Sequence, residues 1–197
     1  MDILWSPWRM AYISADSAGA AGEDAGAVGD TAAPPLTREA PAEPDAAEPK
    51  CIFCRYPAQA ATHDRANLLL LRGAQCFVIL NRYPYNSAHL MIVPYRHLHD
   101  VTRLSTEESA EMMALLQRMV SVLEAEYHPQ GFNAGMNLGA AAGAGIADHL
   151  HMHVVPRWAG DTNFMPVVGQ TKVLPEALEQ TYDRLKAAGA DIARRRD

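Results

Sequence analysis

The stretch Asp148-His149-Leu150-His151-Met152-His153-Val154-Val155-Pro156 constrains the fold of this chain more than any other. Side chains on an extended strand alternate between its two faces. His149, His151 and His153 therefore project together, while Leu150, Met152 and Val154 point the opposite way onto a core. A row of imidazoles above an apolar row is either a metal site or a place where imidazole does chemistry.

The remainder of the chain bounds the choice. With 197 residues, 49% of them hydrophobic, the chain can bury one ordinary core. A net charge of −6 argues against a nucleic-acid partner held by a broad basic surface. No apolar run approaches the roughly 20 residues needed to span a bilayer, and no secretory signal is visible at the N-terminus. A cytoplasmic protein without membrane or nucleic-acid partners is the expectation. Residues 1–14 carry an aromatic, apolar segment, Ile3-Leu4-Trp5-Ser6-Pro7-Trp8-Arg9-Met10, too short to fold alone and expected to dock on the body or on a second subunit. Residues 15–50 shift to Ala, Gly, Pro, Asp and Glu, with Val28 and Leu36 as the only larger aliphatics, and read as a disordered linker. The folded domain is expected over residues 51–197.

Within that domain Leu68–Arg72 and Cys76–Asn81 read as two strands turning at Gly73, and His89–Val93 as a third ended by Pro94. Ser105 and Glu108 form a capping box, and Met112, Leu115, Leu116, Met119, Val122, Leu123 and Tyr127 follow at helical spacing. The Met-rich stripe reads as core. Gly131–Gly139 alternates again, a Gly/Ala loop leads into the histidine strand, a short strand is possible near Lys172, and Pro175 opens a last helix carrying Leu178, Tyr182 and Leu185. This order predicts an α+β fold: an antiparallel sheet of about five strands with two main helices on one side.

Cys51-x-x-Cys54 is a poor disulfide framework and a reasonable metal knuckle, needing two further ligands for a tetrahedral site. His97, just past the third strand, and one member of the triplet are candidates. Cys76, mid-strand, reads as a small buried hydrophobe. If the knuckle takes one histidine, two imidazoles remain, and neutral imidazole is both a nucleophile toward phosphorus and a proton carrier near neutrality. The Gly/Ala loop suits a phosphate lying against backbone N–H groups. His63, His99 and His128 are assigned to the surface, as are Arg9, Arg82, Arg96, Arg157 and Lys172 ahead of any phosphate contact.

The run His149-Leu-His151-Met-His153-Val-Val resembles the His-φ-His-φ-His-φ-φ signature of the histidine-triad (HIT) family of nucleotidyl hydrolases and transferases. The resemblance extends through Asn81 and Ser87-Ala88-His89-Leu90-Met91-Ile92-Val93-Pro94, Asn137-Leu138-Gly139 and Pro156-Arg157. Trp5-Ser6-Pro7-Trp8-Arg9-Met10 and Asp161-Thr162-Asn163-Phe164 are similar to the bacterial diadenosine tetraphosphate phosphorylase-like branch. The resemblance implies a homodimer acting on adenine nucleotides, with the Trp5-to-Ile13 segment and Phe164-Met165-Pro166 reaching across the interface. It implies that His151 attacks the α-phosphorus to give a nucleotidyl-histidine, that His153 contacts the phosphate, and that His89 stands nearby. It further implies Asn81 on the ribose, Asn137 on phosphate oxygens, and Phe77 and Ile79 as walls of the base pocket. A structural zinc would sit on Cys51, Cys54, His97 and His149, bracing the strand and aiming His151. A backbone carbonyl near the Gly/Ala loop is the expected partner of the second His151 nitrogen.

One departure bears on the acceptor. Gly145 stands where some relatives carry a Gln, Ser or Thr side chain, so only backbone is offered there. Inorganic phosphate is favoured over water on branch resemblance. The competing readings are hydrolysis of nucleoside phosphoramidates by the same residues, and a nucleotide- or zinc-binding module without turnover.

Overall fold

Apolar strands that must bury both faces set the architecture. A computed structural model of the chain describes residues 51–161 and 173–194, with side chains through Gly189. The N-terminal segment with Arg9, the linker, Phe164-Met165-Pro166 and the strand expected near Lys172 lie outside the described residues. Strands β1 (Leu69–Arg72), β2 (Cys76–Leu80), β3 (Leu90–Pro94), β4 (Gly131–Gly135) and β5 (Met152–Arg157) form one sheet in the order β1-β2-β3-β5-β4. Every neighbouring pair is antiparallel. Every residue of β2 and of β3 is buried, which is why both read as unbroken apolar runs.

One face of the sheet packs on two long helices, α3 (Thr106–Tyr127) and α4 (Leu178–Arg194). Val78, Leu80, Leu90, Ile92, Met152 and Val154 meet Met112, Leu115, Met119, Val122 and Leu123 of α3 and Tyr182 and Leu185 of α4. The Met stripe is core, as its spacing predicts. The capping box starts α3: Ser105 Oγ accepts from the Glu108 N–H at 3.1 Å, and the Glu108 carboxylate accepts from the Ser105 N–H at 2.7 Å. Arg96 pairs with the same carboxylate at 2.7 Å. From the second turn of α3 the Glu111 carboxylate accepts from the backbone N–H groups of Ala74 (2.7 Å), Gln75 and Cys76 (2.8 Å), tying the β1–β2 turn to the helix. Gly73 admits no side chain there, because a Cβ would stand 2.7 Å from the Cys76 carbonyl.

The other face carries a second cluster: Leu69, Phe77, Ile79, Met91 and Val93 beneath Phe53. Phe53 belongs to a short helix, α1 (Ile52–Ala58), followed by a single helical turn, α2 (Asp64–Asn67). The main helices thus lie on one side, as expected, but α1 covers the other. Several boundaries differ from the sequence reading: β2 ends at Leu80 rather than Asn81, β3 runs Leu90–Pro94 rather than His89–Val93, and α4 opens at Leu178 rather than Pro175. Leu68 is not in β1; it takes the left-handed conformation (φ 62°) that ends α2. β4 stops at Gly135 rather than Gly139. The ladder of β5 begins only at Met152, and just before it the Leu150 N–H donates to the Leu98 carbonyl at 2.6 Å.

Candidate active site

Register aims the site. Ile79 pairs with Met91, and Met91 with His153, so these three share the face away from the long helices. Here a cleft of about 450 Å³ opens between α1, the end of β2, the loop after it, and the histidines. Ile52, Phe53, Tyr56, Ile79 and Ile146 supply apolar walls; Asn81, His151 and His153 supply polar groups. Few convergent polar groups on an apolar floor is the usual make-up of a small-ligand site.

Each histidine of the triplet has its tautomer fixed by a different partner. His149, fully buried, donates from Nε2 to the Pro94 carbonyl at 3.0 Å, which leaves Nδ1 with a free lone pair. That nitrogen lies 3.3 Å from Cys51 Sγ and 3.5 Å from Cys54 Sγ, while His97 Nδ1 lies 3.3 Å from Cys54 Sγ. All four donor atoms fall within 4.8 Å of one another. A tetrahedral zinc with bonds of about 2.3 Å to sulfur and about 2.05 Å to nitrogen has S–N edges of roughly 3.5 Å. The cluster fits such an ion, and the Pro94 carbonyl is the outer partner that fixes a ligating imidazole.

His151 donates from Nδ1 to the His149 carbonyl at 2.8 Å. Its Nε2 is therefore unprotonated, on a side chain that lines the cleft. The partner is a backbone carbonyl, but it comes from two residues earlier in the same run rather than from the Gly/Ala loop. Phe53 contacts this ring at 5.1 Å and the His149 ring at 5.4 Å between centroids, so one phenyl braces both. Burial pulls the His151 pKa below the ordinary imidazole value, against the opposing effect of the carbonyl.

His153 takes its tautomer from His89. The Tyr85 N–H donates to His89 Nδ1 at 3.1 Å, so His89 carries its proton on Nε2 and gives it to His153 Nδ1 at 2.9 Å. His153 must then present Nε2–H. Burial lowers the pKa of His89 from 6.5 to about 3 and of His153 to about 4, each further depressed by neighbouring imidazoles. The site thus holds one imidazole with a free lone pair and, beside it at 4.8 Å between centroids, one that donates.

The other candidates separate. Asn81 lines the cleft, its Oδ1 accepting from the Tyr83 N–H at 2.9 Å and its Nδ2 lying 3.4 Å from His89 Nδ1. Ile79 and Gly145 also line it. Phe77 does not: it pairs with Val93 farther along the sheet and stacks on Tyr95, fully buried. Asn137 is likewise away from the lining, donating to the Gly143 carbonyl at 3.3 Å and bracing the Gly/Ala loop. His63, His99 and His128 are exposed, and Cys76 is buried, its thiol pushed up to about 12 by burial. Arg157 pairs with Asp161 at 2.6 Å.

Sequence reasoning missed the wall formed by Ile52, Phe53 and Tyr56; their helical spacing inside and just after the cysteine pair was the available signal. It also missed Asn86, whose buried amide donates to the Pro156 carbonyl (3.1 Å) and to Asp161 (2.8 Å), pinning the loop that carries Tyr85 and His89. No local pattern marks that residue.

By comparison with known proteins, the fold and the sequence fall in one family. The HIT domain family description matches residues 65–160. An AP-4-A phosphorylase of Mycobacterium tuberculosis is 39% identical over 178 residues, covering 90% of this chain and 79% of that protein. The fold is similar to a zinc-bound histidine triad family protein from Mycobacterium smegmatis (TM-score 0.59, 26% identity, 74% of this chain and 97% of that one). It is also similar to a hypothetical histidine triad nucleotide-binding protein from Sulfolobus tokodaii (TM-score 0.60, 21% identity, 74% and 95%). The chain belongs to the histidine-triad (HIT) family, in the branch of the AP-4-A phosphorylase.

Proposed function

We propose that this chain is a nucleotidyltransferase that cleaves dinucleoside polyphosphates of the diadenosine tetraphosphate kind at an α-phosphorus, through a covalent nucleotidyl-His151, with inorganic phosphate as acceptor. The observation that carries the reading is the 2.8 Å contact from His151 Nδ1 to the His149 carbonyl, which leaves Nε2 as a neutral nucleophile in the cleft. Its lone pair forms the N–P bond as the bond from phosphorus to the bridging oxygen breaks, and that oxygen leaves with the electron pair. His153 Nε2–H is the donor available to a phosphoryl or leaving oxygen as negative charge develops. In the second half, a phosphate oxygen attacks the same phosphorus and His151 departs with its lone pair restored. From diadenosine tetraphosphate the products are ATP, from the first step, and ADP, from the second; water in place of phosphate gives AMP instead.

The apolar walls suit a base, and we assign Asn81 and the Gly145 backbone, which line the same cleft, to the ribose and the phosphates. The similarity to AP-4-A phosphorylase supports the substrate class and the acceptor. Cys51, Cys54, His97 and His149 would hold a structural zinc, which when bound cross-links α1 to the segment before β5.

Product analysis with and without added phosphate tests the reading. ADP plus ATP, appearing only with phosphate present, is the expected outcome. AMP plus ATP at an unaltered rate would assign water as the acceptor, and no cleavage would remove the substrate class.

A further inference from the structure

Two aromatic side chains at the cleft take no part in the chemistry above. Tyr83 is 82% exposed and Tyr85 57% exposed, and they are the aromatic residues among the exposed large hydrophobics of the described chain. Both nevertheless line the cleft. Aromatic rings gain most by burial, so two left in water beside a ligand site point to a surface that the ligand itself covers.

Their backbone is held in place. The Tyr83 N–H is fixed on Asn81 Oδ1 at 2.9 Å, the Tyr85 N–H on His89 Nδ1 at 3.1 Å, and Asn86 anchors the following turn to Pro156 and Asp161. The Tyr85 ring lies against His89 at 4.7 Å and against His153 at 5.7 Å between centroids. Tyr85 therefore flanks the donor histidine, and Tyr83 lines the same cleft two residues earlier.

A cleft of about 450 Å³ is near the lower end of the range for small-ligand sites, roughly 300–1,000 Å³. Its apolar walls are assigned above to one base. A dinucleoside polyphosphate carries a second base on the leaving half, which must lie outside those walls. We propose that Tyr83, beside Tyr85, is the stacking platform for this distal base and the source of a preference for a dinucleotide over a mononucleotide with the same phosphate chain. The inference rests on the function proposed above.

Calorimetric titration of the full chain with methylene-bridged, non-cleavable analogues of diadenosine tetraphosphate and of ATP tests it. Wild-type protein is expected to bind the dinucleotide more tightly. Tyr83→Ala should reduce that preference about tenfold, in keeping with a base–aromatic stack, and Tyr83→Trp should keep it. A preference that survives Tyr83→Ala, or equal weakening of both analogues, would overturn the platform while leaving the functional reading intact. Wild-type protein with no preference for the dinucleotide, or binding neither analogue, would contradict the functional reading and the platform with it.

Discussion

Three histidines of one kind acquire three roles because each has a different hydrogen-bond partner. The Pro94 carbonyl frees Nδ1 of His149 toward two thiols, the His149 carbonyl frees Nε2 of His151, and His89 turns His153 into a donor. The sequence places the three on one face but says nothing of these partners, which come from the end of β3, from the run itself and from the loop before β3. The same burial has a cost at low pH. Burial pulls His89 down to about 3 and His153 to about 4 in the folded chain, against 6.5 for an ordinary imidazole. Folded pKa values below unfolded ones mean that the unfolded chain binds more protons, so stability present above pH 6.5 is lost as pH falls toward 3–4. His89→Gln is expected to remove about 1.4 kcal/mol per pH unit from the slope of stability between about pH 4 and 6. Denaturant titrations across that range measure it; parallel slopes for variant and wild type would show that His89 is not held neutral.

At the scale of elements, legibility followed the strength of local signals. The start of α3 was readable to the residue and its end closely, since the capping box and seven apolar positions agree, and the tertiary packing uses the same stripe. β2 and β3 were legible to within a residue at each end. α1 was not, because it is short, contains Pro57, and opens on a cysteine with no side-chain cap. The separation of Phe77 from the cleft lining has a different origin: period-two alternation gives the face but not the distance along the strand, and only the pairing of Ile79 with Met91, and of Met91 with His153, shows which end reaches the cleft. α1 links the two halves of the site, with Cys51 and Cys54 bracketing the Ile52 and Phe53 that wall the cleft. Metal binding is accordingly expected to order that wall. Cys51→Ser should reduce zinc from about one ion per chain to near none and lower the melting temperature by several degrees; elemental analysis and calorimetry read both. Unchanged zinc content would refute the ligand set.

The whole molecule was legible mainly as a family. Composition and element order predicted an α+β sheet with two main helices, and the fold has both. The triplet with its upstream Asn and His partners indicated the HIT family, which the 39% identity to AP-4-A phosphorylase supports. No described helix is long and apolar enough to cross a membrane. Assembly is a separate matter: we propose a homodimer, and light scattering on the full chain should give twice the chain mass, a monomer at micromolar concentration counting against it. The central claim concerns His151. The most direct measurement is mass spectrometry of protein quenched after mixing with diadenosine tetraphosphate in phosphate-free buffer. The account expects one adenylyl group on the peptide containing residues 149–153, located on His151, chased to ADP by added phosphate and lost in His151→Ala together with at least about a thousandfold in turnover. Turnover by wild-type protein with the adduct on another residue, or a His151→Ala variant that retains wild-type activity, would contradict it.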